Sequence, residues 1–174
     1  KGDTAAGSLS AKPPTAEKKV SYSAGPGHYR PVHGDSGISF ETPAMAADTE
    51  VTGPLVLNLW VSSSAEDMDI YATIRNIGPD GKDVCEIGQR GEPVSCVTKG
   101  WLRASHRRLD PDKSLPYRPY HAHDRREWLT PGEIVECQVE IWPTCMVFRK
   151  GHKIRLDIGP KDGTGNNPRH PTGS

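Results

Sequence analysis

The sequence predicts an all-β fold, an antiparallel β-sandwich of the jelly-roll kind. Three observations carry that expectation. Gly and Pro supply 18 and 16 of the 174 residues, about one residue in five where ordinary usage gives about 12%, which favours turns and short strands over long helices. Apolar residues recur at period two in several runs, and no segment sustains the 3.6-residue period of an amphipathic helix. Turn signals separate these runs roughly every 8 to 12 residues, the spacing of a sandwich or barrel.

Residues 1–36 are rich in Ser, Ala, Gly, Pro and Lys, with Pro13-Pro14, Gly25-Pro26-Gly27 and Gly34-Asp35-Ser36 as breakers. They read as an extended N-terminal arm with one short strand at Val20-Ser21-Tyr22, and residues 37–174 as the sandwich domain. Ile38-Ser39-Phe40-Glu41 alternates. After a turn region at residues 43–48, Leu55, Leu57, Leu59 and Val61 share one face of the clearest strand, which Ser62-Ser63-Ser64 ends. Met68, Ile70, Ala72 and Ile74 do the same on the next, closed by the turn Gly78-Pro79-Asp80-Gly81. Val84-Cys85-Glu86-Ile87 and Val94-Ser95-Cys96-Val97 flank Gln89-Arg90-Gly91-Glu92 as a hairpin, and residues 100–104 continue the meander. Residues 105–128, broken by Pro111, Pro116 and Pro119, form a long polar crossover, and a structureless stretch of that length is commonly functional. Val135, Cys137, Val139 and Ile141 then face one way along a strand that ends before Pro143, and Cys145-Met146-Val147-Phe148 with Ile154, Leu156 and Ile158 make a closing hairpin.

Charge excludes some partners. Lys plus Arg and Asp plus Glu number 22 each, so no basic excess advertises nucleic acid or an anionic membrane. No window approaches the ~18 uncharged apolar residues of a spanning helix, and Lys1-Gly2-Asp3-Thr4 opens no signal-peptide apolar region. Location is therefore not legible from targeting signals, and the bacterial cytoplasm is favoured over secretion. Four cysteines are too few for a disulfide scaffold. Cys85 and Cys96 are symmetric about Arg90-Gly91, so a tight hairpin would set them opposite. A disulfide and two free thiols are both open there. Cys137 reads as a packed core thiol.

The chemistry-bearing residues point away from catalysis. A Gly-x-Ser-x-Gly nucleophile elbow is absent, and the nearest contexts, Gly7-Ser8 and Gly34-Asp35-Ser36-Gly37, precede no helix. His121-Ala122-His123-Asp124 has ligand-like spacing but lacks a third ligand at motif distance, so it reads as a solvated loop. Asp157 with Asp162 lacks the acidic spacing of a calcium loop. No metal or cofactor is expected. Trp60, Trp101, Trp128 and Trp142 suit either a sugar-stacking platform or core filling, and Trp60 in its apolar run and Trp142 before Pro143 read as core.

Taken in order, several motifs resemble a known domain. They include Gly7-Ser8-Leu9, Phe40-Glu41-Thr42-Pro43, Glu50-Val51-Thr52-Gly53-Pro54, Leu59-Trp60-Val61-Ser62-Ser63, Pro79-Asp80-Gly81 and Gly100-Trp101-Leu102-Arg103-Ala104-Ser105. Leu129-Thr130-Pro131-Gly132-Glu133 and Phe148-Arg149-Lys150-Gly151-His152-Lys153-Ile154-Arg155-Leu156-Asp157-Ile158 follow. Together they are similar to the C-terminal domain of Xaa-Pro dipeptidyl-peptidase-like hydrolases, the CocE/NonD group of cocaine esterase and α-amino-acid ester hydrolases. The resemblance implies a galactose-binding-domain-like jelly roll without catalytic residues, its edge strands incomplete in this chain at the start and beyond the Asn167–Gly173 loop. It implies a serine-hydrolase triad in a preceding α/β-hydrolase domain that this domain covers, shaping a substrate channel or an oligomer interface. The alternative is a free-standing carbohydrate-binding module. Within the crossover, Tyr117, Tyr120, Arg125, Arg126 and Trp128 have the Arg and aromatic bias of interface cores. They are expected to dock on the hydrolase domain or a second subunit, against the plainer reading of a solvated loop.

Overall fold

The computed structural model describes residues 7–13, 15–24, 37–87, 93–94 and 96–162. The expected turns at Gly25-Pro26-Gly27 and Gly34-Asp35-Ser36, the hairpin tip Gln89-Arg90-Gly91-Glu92 and the Asn167–Gly173 loop lie outside the described residues. Among the described residues there are nine strands: β1 (Gly7–Ser8), β2 (Ile38–Glu41), β3 (Thr49–Val61), β4 (Asp69–Ile77), β5 (Glu86–Ile87), β6 (Pro93–Val94), β7 (Cys96–Arg103), β8 (Val135–Phe148) and β9 (Lys153–Gly159). Among the described residues the helical content is one 3₁₀ turn, Ala104–His106. The all-β expectation holds.

Seven strands form one ladder in the order β1-β2-β9-β4-β7-β8-β3, and β5 and β6 pair separately as a hairpin. Neighbours are antiparallel except β1 and β2, which run parallel with Gly7 opposite Phe40. β7 and β8 touch through a single registered pair, Gly100 with Ile141. The sheet curls there. Ile70, Ala72 and Ile74 of β4 thereby share one core with Cys137, Val139 and Ile141 of β8, joined by Leu102, Phe148, Leu156 and Ile158. Leu55, Leu57, Leu59 and Val61 point to that core as the alternation requires, but β3 is a sheet edge and they are only half-buried.

The expected break at Pro143 does not occur. β8 runs unbroken from Val135 to Phe148, and its pairing with β3 shifts between Gly53 and Leu55. Gly53 faces Thr144 and Leu55 faces Ile141, so Pro54 alone opposes Trp142 and Pro143. This is a β-bulge. Two prolines, which cannot donate a ladder hydrogen bond, sit where the ladder has none to lose, and Gly53 takes the φ of +112° that the kink needs. The extra residue also resets the phase of β8, whose inward positions are 137, 139 and 141 before the bulge and 144, 146 and 148 after it.

Two further expectations are corrected, and the alternatives left open at Cys85 and Cys96 are decided. Val20-Ser21-Tyr22 is not a strand: the outer edge of β2 is taken by β1, and a lone three-residue run has no partner for its N–H and C=O groups. Trp60 and Trp142 are not core but 70% and 57% exposed, because each is one residue out of phase with its inward neighbours. Cys85 and Cys96 are both free thiols. The β5/β6 register pairs Glu86 with Val94, one residue off the symmetric pairing that would have set the two cysteines opposite.

Elsewhere local chemistry acts as expected. The turn after β4 closes with Gly81 N–H donating to the Gly78 carbonyl at 2.9 Å, at φ +77° for Gly81. On the outer face of β2, β9 and β4, Glu41 accepts from Arg155 and Lys153, while Asp157 accepts from Ser39 at 2.6 Å and pairs with Arg75 at 2.8 Å.

Candidate functional site

The outward positions of β4, β7 and β8 build the floor of a groove. Register sets Tyr71 beside Trp101 and Asp69 beside Arg103. The next step depends on a glycine. A Cβ on Gly100 would lie 2.0 Å from the Glu140 carbonyl oxygen, so only glycine lets β7 and β8 approach this closely. That approach brings Trp101 and Trp142 to 5.4 Å between ring centroids, tilted by 52°. Asp69 accepts from Arg103 through both carboxylate oxygens, at 2.8 and 3.1 Å.

The crossover supplies the wall. It leaves β7 under the control of Asp67, whose carboxylate accepts from the Ser105 backbone at 2.9 Å and the Ser105 hydroxyl at 2.7 Å. A tongue follows, pinched at its base where Leu109 bridges His121 and the Asp110 N–H donates to the Tyr120 carbonyl. The returning limb is tied back by Glu127 N–H donating to the Ser105 carbonyl and by the Arg108–Asp124 ion pair. His106, His121 and His123 thereby reach the groove. The Nδ1 atoms of His106 and His123 stand 3.1 Å apart, a hydrogen bond in which one nitrogen carries the proton and the other accepts. His123 holds this position at φ 52°. Burial pushes the pKa of His121 below its ordinary value, with the charges of His123 and His106 acting the same way and the Gln138 backbone opposing.

The groove encloses about 510 Å³. Imidazoles, carboxylates and indoles line it, with no Ser or Cys among its described residues, so it can bind but offers no acyl-transfer nucleophile. Ser105 is fully buried with its hydroxyl given to Asp67. Among the described residues no group of three or more His, Cys, Asp or Glu is placed to hold a metal ion. Asp124 is committed to Arg108, Asp157 to Arg75 and Ser39, and Asp162 to Lys99 at 2.6 Å, so the suggested His–Asp and Asp–Asp sites do not converge. No helix among the described residues is long and apolar enough to cross a membrane.

The five expected interface residues lie apart from the groove. Tyr117 and Tyr120 belong to the tongue, exposed by 53% and 47%, with Lys113 5.0 Å above the Tyr120 ring. Arg125, Arg126 and Trp128 belong to the returning limb, where Arg126 stacks at 5.5 Å on a half-exposed Trp128 and Arg125 pairs with Glu127. The groove residues Tyr71, Trp101, Glu140 and Trp142 were not singled out together from sequence, although their outward phase was readable from their neighbours.

The model of the X-Pro dipeptidyl-peptidase C-terminal non-catalytic domain matches residues 1–174. The chain belongs to this family. The CocE/NonD family hydrolase SACOL2612 of Staphylococcus aureus superposes with a TM-score of 0.71 at 31% identity, over 78% of this chain and 24% of that one. Cocaine esterase of a Rhodococcus strain is 27% identical over 77% of this chain and 19% of its own. A Mycobacterium bovis protein that carries the name of a serine esterase is 32% identical over 72% of this chain, again 19% of its own length. The chain thus spans about a fifth of the curated relatives it matches. A non-catalytic C-terminal domain of the CocE/NonD type accounts for the missing nucleophile elbow and for the all-β curl together.

Proposed function

We propose that this domain serves a longer serine hydrolase, acting on acyl, ester or N-terminal Xaa-Pro bonds, as the cover of its α/β-hydrolase domain. The observation that carries the reading is the family match along the whole chain, set beside relatives named as esterases whose remaining length is ample for a catalytic domain. The tongue and returning limb form the docking surface. Tyr117, Tyr120 and Trp128 are half-exposed aromatics flanked by Arg125 and Arg126, the residue types that anchor interfaces. Docked there, the domain shapes the substrate channel from outside the triad.

The test uses the full-length polypeptide. A fluorophosphonate probe is expected to label one serine upstream of this chain and none within it. Replacing Tyr117, Tyr120 and Arg125 together by Ala is expected to lower turnover and split thermal unfolding into two transitions, since such anchors can carry about 2 kcal/mol or more each. A drop in mass by light scattering, with unfolding still in one step, would assign the surface to a second subunit instead. Unchanged turnover, unfolding and mass would remove the docking role.

A further inference from the structure

The groove on β4, β7 and β8 is lined by none of the five residues assigned to docking. We propose that it binds an uncharged oligosaccharide. Its volume of about 510 Å³ falls in the ~300–1,000 Å³ range of small-ligand sites. Its floor is a row of aromatics from three adjacent strands, Tyr71, Trp101 and Trp142, with the two indoles 48% and 57% exposed. Wet indole faces in a concavity are a binding signal.

A pyranose ring has an apolar C–H face and a rim of hydroxyls that both donate and accept. The C–H face packs on indole. The hydroxyl rim needs groups of both kinds at the edge, and Asp69, Arg103, Glu140 and the imidazoles provide them. The 52° tilt between Trp101 and Trp142 excludes one flat fused ligand lying on both rings. It accepts two successive sugar rings turned relative to each other. Arg103 neutralises Asp69, which leaves Glu140 as the lining carboxylate without a cationic partner among the described residues and disfavours acidic sugars.

The experiment titrates the full-length polypeptide with cellohexaose, xylohexaose, maltohexaose and N-acetylchitohexaose, read by tryptophan fluorescence and calorimetry. Saturable binding of at least one of the four is expected, with no competition from polygalacturonate. Trp142→Ala should weaken that binding about tenfold or more, as loss of one stacking aromatic does, and Trp142→Phe should restore most of it. Trp60→Ala, at a still more exposed tryptophan on β3 outside the groove, should leave the affinity within about twofold. Binding of none of the four, or equal losses for Trp142→Ala and Trp60→Ala, would overturn the proposal. So would Trp142→Ala lowering turnover or melting temperature without any saccharide binding, which would show the groove covered by the rest of the polypeptide.

Discussion

Gly100 lies against the backbone of Glu140 so tightly that a Cβ there would stand 2.0 Å from the carbonyl oxygen and 2.8 Å from the carbonyl carbon. Both neighbours are main chain and cannot swing aside. Gly100→Ala is therefore expected to open the β7/β8 junction, at a cost of about 4 kcal/mol or more by urea unfolding, and to abolish the near-ultraviolet circular dichroism of the Trp101–Trp142 pair. Gly53→Ala is the comparison: nothing lies within 4 Å, and only the φ of +112° opposes a side chain, so about 1 to 3 kcal/mol is expected. Equal costs would mean that the junction yields.

Asp67 holds the start of the crossover. Its carboxylate accepts from both hydrogen-bond donors of Ser105, a residue with no exposed surface. Asp67→Ala strands those buried donors and should cost about 2 kcal/mol or more in urea unfolding. Asp69, two residues on, makes a bidentate but largely exposed pair with Arg103, and Asp69→Ala should cost less than about 1 kcal/mol.

The period of the apolar residues made most of the sheet legible before any coordinates. Ile70, Ala72 and Ile74, or Cys137, Val139 and Ile141, could only share a face if extended, and they do. The same rule would have placed Trp60 and Trp101 outside, since each is flanked by inward residues, and Trp142 too, since it follows the inward Ile141. Reading them by size and apolarity instead of by phase put Trp60 and Trp142 in the core. Two features lay beyond local pattern. The bulge at Pro54 needs the pairing of two prolines 89 positions apart, visible only once β3 and β8 are aligned. The histidine wall needs the path of the crossover, which brings His106 to His123 through contacts of Asp67, Arg108 and Glu127 that no spacing encodes.

Glu41 ties folding to acid. Its side chain is 15% exposed and is held by Arg155 and Lys153. Burial alone would raise its pKa, but the hydrogen bonds and charges of those two cations outweigh it and hold the carboxyl below its ordinary 4.5. With the folded value depressed, the stabilisation is present above the unfolded pKa and is lost as pH falls through the folded one. Urea midpoints are expected to drop on acidification below about pH 4.5. Glu41→Gln should be less stable at neutral pH and lose less on acidification. A parallel acid limb in the two proteins would remove Glu41 from this role. Asp48 is also depressed, by the Lys150 backbone N–H and then by Arg149, as are Asp110 by Lys113 and Asp124 by Arg108, but these groups face water and add little.

The four cysteines give a test of register that needs no change to the protein. Cys85 and Cys145 are exposed and Cys96 is half-buried. Cys137 sits in the core, where burial pushes its thiol up to about 11. Because a thiol attacks as its thiolate, native protein treated with a thiol-reactive disulfide near pH 8 should modify Cys85 and Cys145 quickly. Cys96 should follow more slowly, and Cys137 should react only on unfolding. Peptide mapping after alkylation without reductant should find Cys85 and Cys96 both alkylated, because the Glu86–Val94 pairing turns the two side chains out of register with each other. A linked Cys85–Cys96 peptide would show that the β5/β6 hairpin pairs one residue away from this register, and rapid native labelling of Cys137 would show β8 with its faces exchanged.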